Sequence, residues 1–468
     1  MRRATYPETL SELQEALDGA SRRGGELIVV AGGLASGKTA VITRFLQAAA
    51  DTGAVTLTAT GYREDSSVPL VLMEQLIRSG ALPPEVESRI RTSLHAVRPS
   101  LDLEETGLCR TSDAALADFG HELCDALRTA SRVRPVVVGV DDVHFADPCS
   151  QRLLLYLWRR LCSAPVVFVL GEWVWPHPAT TTFDAHLRRL KHRRVRLSPL
   201  STDELRELAV RSRGEALGEI AARRLAGRLE ELTGGNPLLA TALLSEQRTG
   251  DPSPAPDGPF AQAILTGLVR WGDELLEVAQ AVAVLGDQAE VKTIARVLDR
   301  DPARVGDVLG VLQDAGFLTG CVFRAEAARR AVLTSLTSIQ RAALNERAAS
   351  VLLLAGSPAT AVSGHLVEAG TVSGDDGVAA LRITAEQLVA RGHPEDALRC
   401  LELAREATED DEIRSAIEAA ALRSAWRVRP SAADWRHAYL QPLLHDGRLS
   451  FADAIGVLRH TTWQARPG

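Results

Sequence analysis

Residues 26–39 read Glu-Leu-Ile-Val-Val-Ala-Gly-Gly-Leu-Ala-Ser-Gly-Lys-Thr, an apolar run that opens into Gly32-x-x-x-x-Gly37-Lys38-Thr39. No other stretch constrains the fold as tightly. The apolar run is a buried strand, and the glycines let the backbone turn sharply and aim successive N–H groups inward at a polyphosphate. Residues 40–50 have helical character, so the positive end of a helix dipole would face the same anion. In this pattern Lys38 reaches the β- and γ-phosphates and the Thr39 hydroxyl holds Mg²⁺. Gly32, Gly33, Gly37, Lys38, Thr39 and Ala40 are therefore the candidate nucleotide-contacting residues. A Gly-rich strand-to-helix turn that binds nothing would leave the same local pattern.

A second motif points the same way. Residues 134–140, Arg-Pro-Val-Val-Val-Gly-Val, run into Asp141-Asp142. A β-branched run ending in an acidic pair is what a buried parallel strand delivers to the C-terminal edge of a sheet. There Asp141 would share the Mg²⁺ with Thr39 and Asp142 would polarise an attacking water, which makes Asp142 and the phosphate-binding Lys38 the candidate catalytic residues. Lys38 is also one of only three lysines, with Lys191 and Lys292, in a chain whose other cations are arginines.

The 468 residues suffice for two to four domains and a large core. A net charge of −7 argues against generic nucleic-acid affinity. The basic stretch from Arg188 to Arg196 reads as a solvated helix end leading into a strand, with a nucleic-acid patch as its alternative. No signal-peptide layout opens the chain, and no apolar run reaches membrane-spanning length. The six scattered cysteines include no Cys-x-x-Cys pair and read as reduced, partly buried thiols of a cytoplasmic protein. No metal-ligand spacing or nucleophile elbow competes with the nucleotide chemistry.

The pattern predicts an N-terminal helix in 1–25 and a nucleotide-binding α/β domain over 26–198. Strands are expected at 26–31, 54–60, 135–141, 165–170 and 193–197, alternating with helices, so that a parallel sheet is covered on both faces. Ser201 to Leu205 is a helix start, and residues 199–248 read as a helical lid interrupted at Thr233 to Pro237. The Pro-rich segment 249–260 reads as a linker. Residues 261–338 suit a winged-helix-like module of three short helices with a small hairpin near Gly320, or else a plain helical bundle. Residues 339–426 pair as helical, TPR-like repeats, with one well-formed unit visible. Residues 427–468 show no sustained periodicity and are expected to be an irregular tail.

In this order the motifs resemble a known family. The phosphate loop, the Asp141–Ser150 segment (Asp-Asp-Val-His-Phe-Ala-Asp-Pro-Cys-Ser), Pro199-Leu200-Ser201 and residues 234–238 (Gly-Gly-Asn-Pro-Leu) are similar to the signal-transduction ATPases with numerous domains. The likeness is strongest to the large ATP-binding regulators of the LuxR type and covers roughly residues 8–425. It implies a P-loop α/β fold followed by helical lid, winged-helix and α-helical repeat regions. It also implies a switch that is ADP-bound at rest and ATP-bound when signalling, reset by slow hydrolysis. By position, Gly235 and Pro237 would lie against the adenine. The repeats would receive a small-molecule inducer or a protein partner, with self-association possible. Three family features are missing: an arginine after strand 165–170, where Leu170-Gly171-Glu172-Trp173 stands; a histidine in the Phe323-Arg324-Ala325 segment; and an N-terminal Gly-Arg-Glu segment. Nothing after residue 426 resembles a helix-turn-helix, so direct DNA binding by this chain is not expected, and truncation before such a domain is. A faster ATPase and an interaction scaffold with a vestigial ATP site stay open beside the switch.

Overall fold

Strands that end at a ligand must be buried along their length, and the valine-rich runs of this chain are. The computed structural model describes residues 2–79, 82–100, 102–103, 109–110, 113–174, 182–214, 218–246, 254–255, 257–372, 374–428 and 433–464. They fall into two compact units, Met1–Gly267 with Gly310–Phe317 and Leu268–Leu309 with Leu318–Gly468.

The first unit is built on a six-stranded sheet. Its strands are β1 (Arg2–Ala4), β2 (Leu27–Gly32), β3 (Val55–Thr60), β4 (Val136–Asp141), β5 (Val166–Trp173) and β6 (Arg193–Leu197). They pair in the order β1-β6-β2-β5-β4-β3, every neighbour parallel. All six residues of β2 and of β4 are buried, as a parallel sheet covered on both faces requires. Alternate side chains feed two cores. Leu27, Val29, Val138 and Phe168 pack with residues of the helices Val71–Ile77, Pro84–Val97, Asp113–Ser131 and Pro148–Leu161. Ile28, Val30, Val137 and Val169 pack on the other face with residues of Tyr6–Arg23 and Lys38–Asp51. This is the α/β class the alternating pattern predicts. The three-residue edge strand β1 carries too little pattern to be seen in advance.

β5 lies between β2 and β4, so the turns that leave β2 and β4 open on the same sheet edge with the end of β5 between them. Three helices follow β6: Thr202–Arg213, capped by the reciprocal Ser201–Glu204 box, then Glu219–Thr233 and Pro237–Glu246. Part of the expected linker at 249–260 lies outside the described residues.

In the second unit, helices Asp273–Leu285 and Val291–Leu298 are followed by a two-stranded antiparallel hairpin that pairs Thr319 with Val322 and Leu318 with Phe323. From Ser338 onward five consecutive helices each pack against the next (Ser338–Leu354, Ala359–Ala369, Gly374–Ala390, Pro394–Ala407, Asp411–Val428). One correction concerns the tail. Asp434–His445 and Phe451–Gln464 are helices, not irregular chain. They were hidden because Pro442 sits inside the first and because little apolar surface is buried along them, chiefly Ala433, Leu440 and Val457. No helix among the described residues is long and apolar enough to cross a membrane.

Candidate nucleotide site

The sequence at the end of β2 folds as its glycines dictate. Gly37 caps the helix Lys38–Asp51 with φ +90°, a conformation that needs glycine. Lys38 begins that helix almost fully buried, and its ammonium donates to the carbonyls of Gly32 at 3.3 Å and Gly33 at 2.8 Å. Thr39 and Ala40 are exposed at the helix start, and Gly33 is half-buried in the loop.

β4 brings the acidic pair to the same edge. The Thr39 hydroxyl donates to Asp141 Oδ2 at 2.5 Å, and Asp141 Oδ1 accepts the backbone N–H of Asp142 at 3.0 Å. The space Asp141 occupies is made by β5: a Cβ on Gly171 would stand 2.4 Å from Asp141 Oδ1. Asp142 is buried and holds left-handed backbone at φ +48°, a strained geometry for a non-glycine residue that concentrates at functional sites. Thr39 and Asp141 are hard oxygen donors on adjacent elements, so the donor set suits a magnesium ion.

Asp147, from the same motif, does structural work instead. Its Oδ1 accepts the N–H groups of Ser150 and Leu70, each at 2.9 Å, capping the helix Pro148–Leu161 and pinning a residue held at φ +59°.

The glycine-rich break between the helices Glu219–Thr233 and Pro237–Glu246 lies beside the loop. Gly235, φ +76°, accepts the Leu200 N–H at 2.8 Å, and a Cβ there would meet the Leu200 carbonyl at 2.5 Å. A Cβ built on Gly37 would meet the Pro237 ring at 3.7 Å. The residue between, Asn236, was not singled out from the sequence and makes the most bonds. Its amide donates to the carbonyls of Leu34, inside the phosphate loop, and Ala315 at 3.2 and 2.8 Å, and its Oδ1 accepts the N–H groups of Leu238 and Leu239. An asparagine just before a helix-opening proline is a helix-cap signal, and that was the signal available.

After Gly171, β5 ends in Glu172 and Trp173. The Trp173 ring lies 5.8 Å from that of His144. An arginine does reach this strand end, but from β6: Arg194 ion-pairs with the buried Glu172. Burial nevertheless pushes the Glu172 carboxyl up to about 7; Arg194 opposes the rise and Asp184 adds to it. The basic stretch around Arg194 is thereby used internally, with Arg193 bonded to Glu26 and Arg196 to Asp314. One thiol also departs from expectation. Cys124, Cys162, Cys321 and Cys400 are free, but Cys149 is disulfide-bonded; sequence spacing does not reveal which cysteines the fold brings close.

Compared with protein families, residues 8–169 match the model of the AAA ATPase domain. This part of the chain is an AAA ATPase domain. Such a domain implies nucleotide binding. The chain is also 29% identical over 221 residues to an uncharacterized protein of Rhizobium meliloti (strain 1021), a stretch that is 44% of this chain and 20% of that protein. The chain thus spans about a fifth of the length of that curated relative. Among solved structures it is similar to a signal transduction ATPase with numerous domains carrying a tetratricopeptide repeat sensor, from Pyrococcus horikoshii. That match is 14% identical with a TM-score of 0.29, covering 97% of this chain and 66% of the other. It is also similar to Cdc6p from Pyrobaculum aerophilum, at 15% identity and a TM-score of 0.35, covering 72% and 96%.

Proposed function

We propose that this chain is a nucleotide-dependent switch of the signal-transduction type, akin to the ATP-binding LuxR-type regulators and acting in the cytoplasm. The observation that supports the reading is the contact of Thr39 with Asp141 beside the buried Lys38, three residues of the types that phosphate and metal binding need. In this reading Lys38 holds the β- and γ-phosphates, Thr39 and Asp141 hold Mg²⁺, and Asp142 orients the water. Bound Mg²⁺ supplies charge neutralisation on the phosphates. Gly235 and Pro237 cover the adenine, residues 199–248 act as the lid, 261–338 as a winged helix and 339–426 as the repeats that meet an inducer or protein partner.

The bonds of Asn236 support switching over plain hydrolysis. One buried amide ties the phosphate loop, the N-terminus of the helix Pro237–Glu246 and the backbone at Ala315. A nucleotide that shifts Leu34 therefore has differential contact with both other elements, which a population shift requires. Hydrolysis is slow in this reading, because the arginine near β5 is engaged with Glu172.

Calorimetry with Mg·ATP and Mg·ADP on wild type and Lys38→Ala tests it. Loss of one charge-assisted contact is worth about 1.5–3 kcal/mol, so the variant should bind roughly 10- to 100-fold more weakly. Turnover well below about 1 per second is expected. Turnover at or above that rate would favour the faster ATPase. Binding by neither protein would favour the scaffold with a vestigial site.

A further inference from the structure

The second unit holds a cleft of about 510 Å³ that the nucleotide reading does not use, a volume in the range of small-molecule sites. Its walls come from successive helices. Arg329 stands on Glu326–Thr334, Arg341 and Asn345 on Ser338–Leu354, His365 on Ala359–Ala369 and Thr384 on Gly374–Ala390, with Arg391 just beyond. Arg399 and Asp396 complete the wall from Pro394–Ala407.

Its charge and its polar floor both point to a ligand. Four arginines line the cleft against two carboxylates, Glu368 and Asp396, and Arg329 is paired at 3.4 Å with Glu326 just outside the lining, leaving an excess of one positive charge. Arg341 is bonded to Glu368 at 2.6 Å, and Arg399 lies 3.9 Å from Asp396. Asn345, Thr384 and His365 are each more than nine-tenths buried. The Asn345 amide donates to the Arg341 carbonyl at 2.9 Å, which fixes its Oδ1 as an acceptor. His365 Nδ1 must then be the donor in its 2.8 Å contact with that oxygen, so Nε2 of the neutral ring is an acceptor. Among the described residues the buried hydroxyl of Thr384 meets no hydrogen-bond partner, an unmet requirement that a ligand atom would satisfy.

We propose that this cleft binds a small hydroxylated anion. The arginines supply the charge, His365 Nε2 accepts from a ligand hydroxyl, and Thr384 bonds a second ligand oxygen. The chemistry fits a sugar phosphate or a hydroxycarboxylate, and the two sources are separable by experiment. This deepens the reading of residues 339–426 as the repeats that meet an inducer and rests on that part of it, but not on the nucleotide loop.

Calorimetry on the full chain with ribose 5-phosphate and with citrate as probes tests the site. Saturable binding of ribose 5-phosphate supports it with phosphate as the anchoring group, and saturable binding of citrate supports it with carboxylate. Arg391→Gln and the near-isosteric Thr384→Val should each weaken that binding about tenfold. Arg347→Gln, exposed on the same helix as Asn345, and Lys38→Ala at the nucleotide loop should leave it unchanged. Retained binding in Lys38→Ala thus separates this site from the nucleotide site. Thermal unfolding of each variant without ligand checks that the fold survives. Binding of neither probe more tightly than about 1 mM, or binding unmoved by both cleft substitutions, would overturn the proposal.

Discussion

Gly171 carries no side chain, yet it decides what Asp141 can do. A methyl group there would stand 2.4 Å from Asp141 Oδ1 and 2.8 Å from Ile42 Cδ1. Overpacking of this kind costs about 1–3 kcal/mol and is relieved by moving the neighbour. Gly171→Ala should therefore push the carboxylate off Thr39 and weaken Mg·ATP binding about tenfold, while ADP binding measured in EDTA changes little. Equal loss in both titrations would mean that the loop itself had moved. The adjacent Glu172 supplies a pH signature. Its carboxyl sits at about 7 in the fold against an ordinary 4.5, so the folded state binds more protons than the unfolded one between those values. Its contribution is most favourable at low pH and is lost as pH rises towards 7. In urea unfolding, the stability of Glu172→Gln minus that of wild type should increase from pH 5 to 7 and level off above. A difference that stays constant across that range would remove Glu172 from the account.

At the scale of elements, the strand–loop–helix order around residues 26–39 was legible because its glycines and apolar run have one local solution. Asp147 shows where such legibility ends. Its motif carries the family resemblance, but the side chain caps the helix Pro148–Leu161 and holds Leu70 from a remote segment. Asp147→Ala should cost about 1–3 kcal/mol of stability by removing a buried cap, seen as a lowered denaturation midpoint with nucleotide affinity retained. Loss of affinity without loss of stability would return Asp147 to the site. The two helices after residue 433 were illegible for a related reason. They are held through the buried pair of Arg436 with Glu418 at 3.1 Å and the edge-on contact of Trp426 with His460 at 4.6 Å. Both are tertiary contacts that leave no periodic trace.

Across the whole molecule, the thiols offer the most direct check on the fold as drawn. Alkylation of the denatured, unreduced chain should modify Cys124, Cys162, Cys321 and Cys400 and leave Cys149 protected until a reductant is added. Modification of Cys149 without reductant would contradict the structure at that residue.

By itself the sequence determined the parallel α/β class, the phosphate loop and the acidic pair, because each is written in contiguous residues whose backbone requirements and burial period are local. Tertiary structure decided the rest. It set Asp141 against Thr39 through a gap left by Gly171, gave Asn236 partners 202 and 79 residues away, and took Arg194 into a pair with Glu172. It also gathered four arginines, from three helices and the turn after a fourth, around one cleft. Each of these depends on which segments become neighbours across the sheet or along the helical stack, and chain proximity carries no record of that.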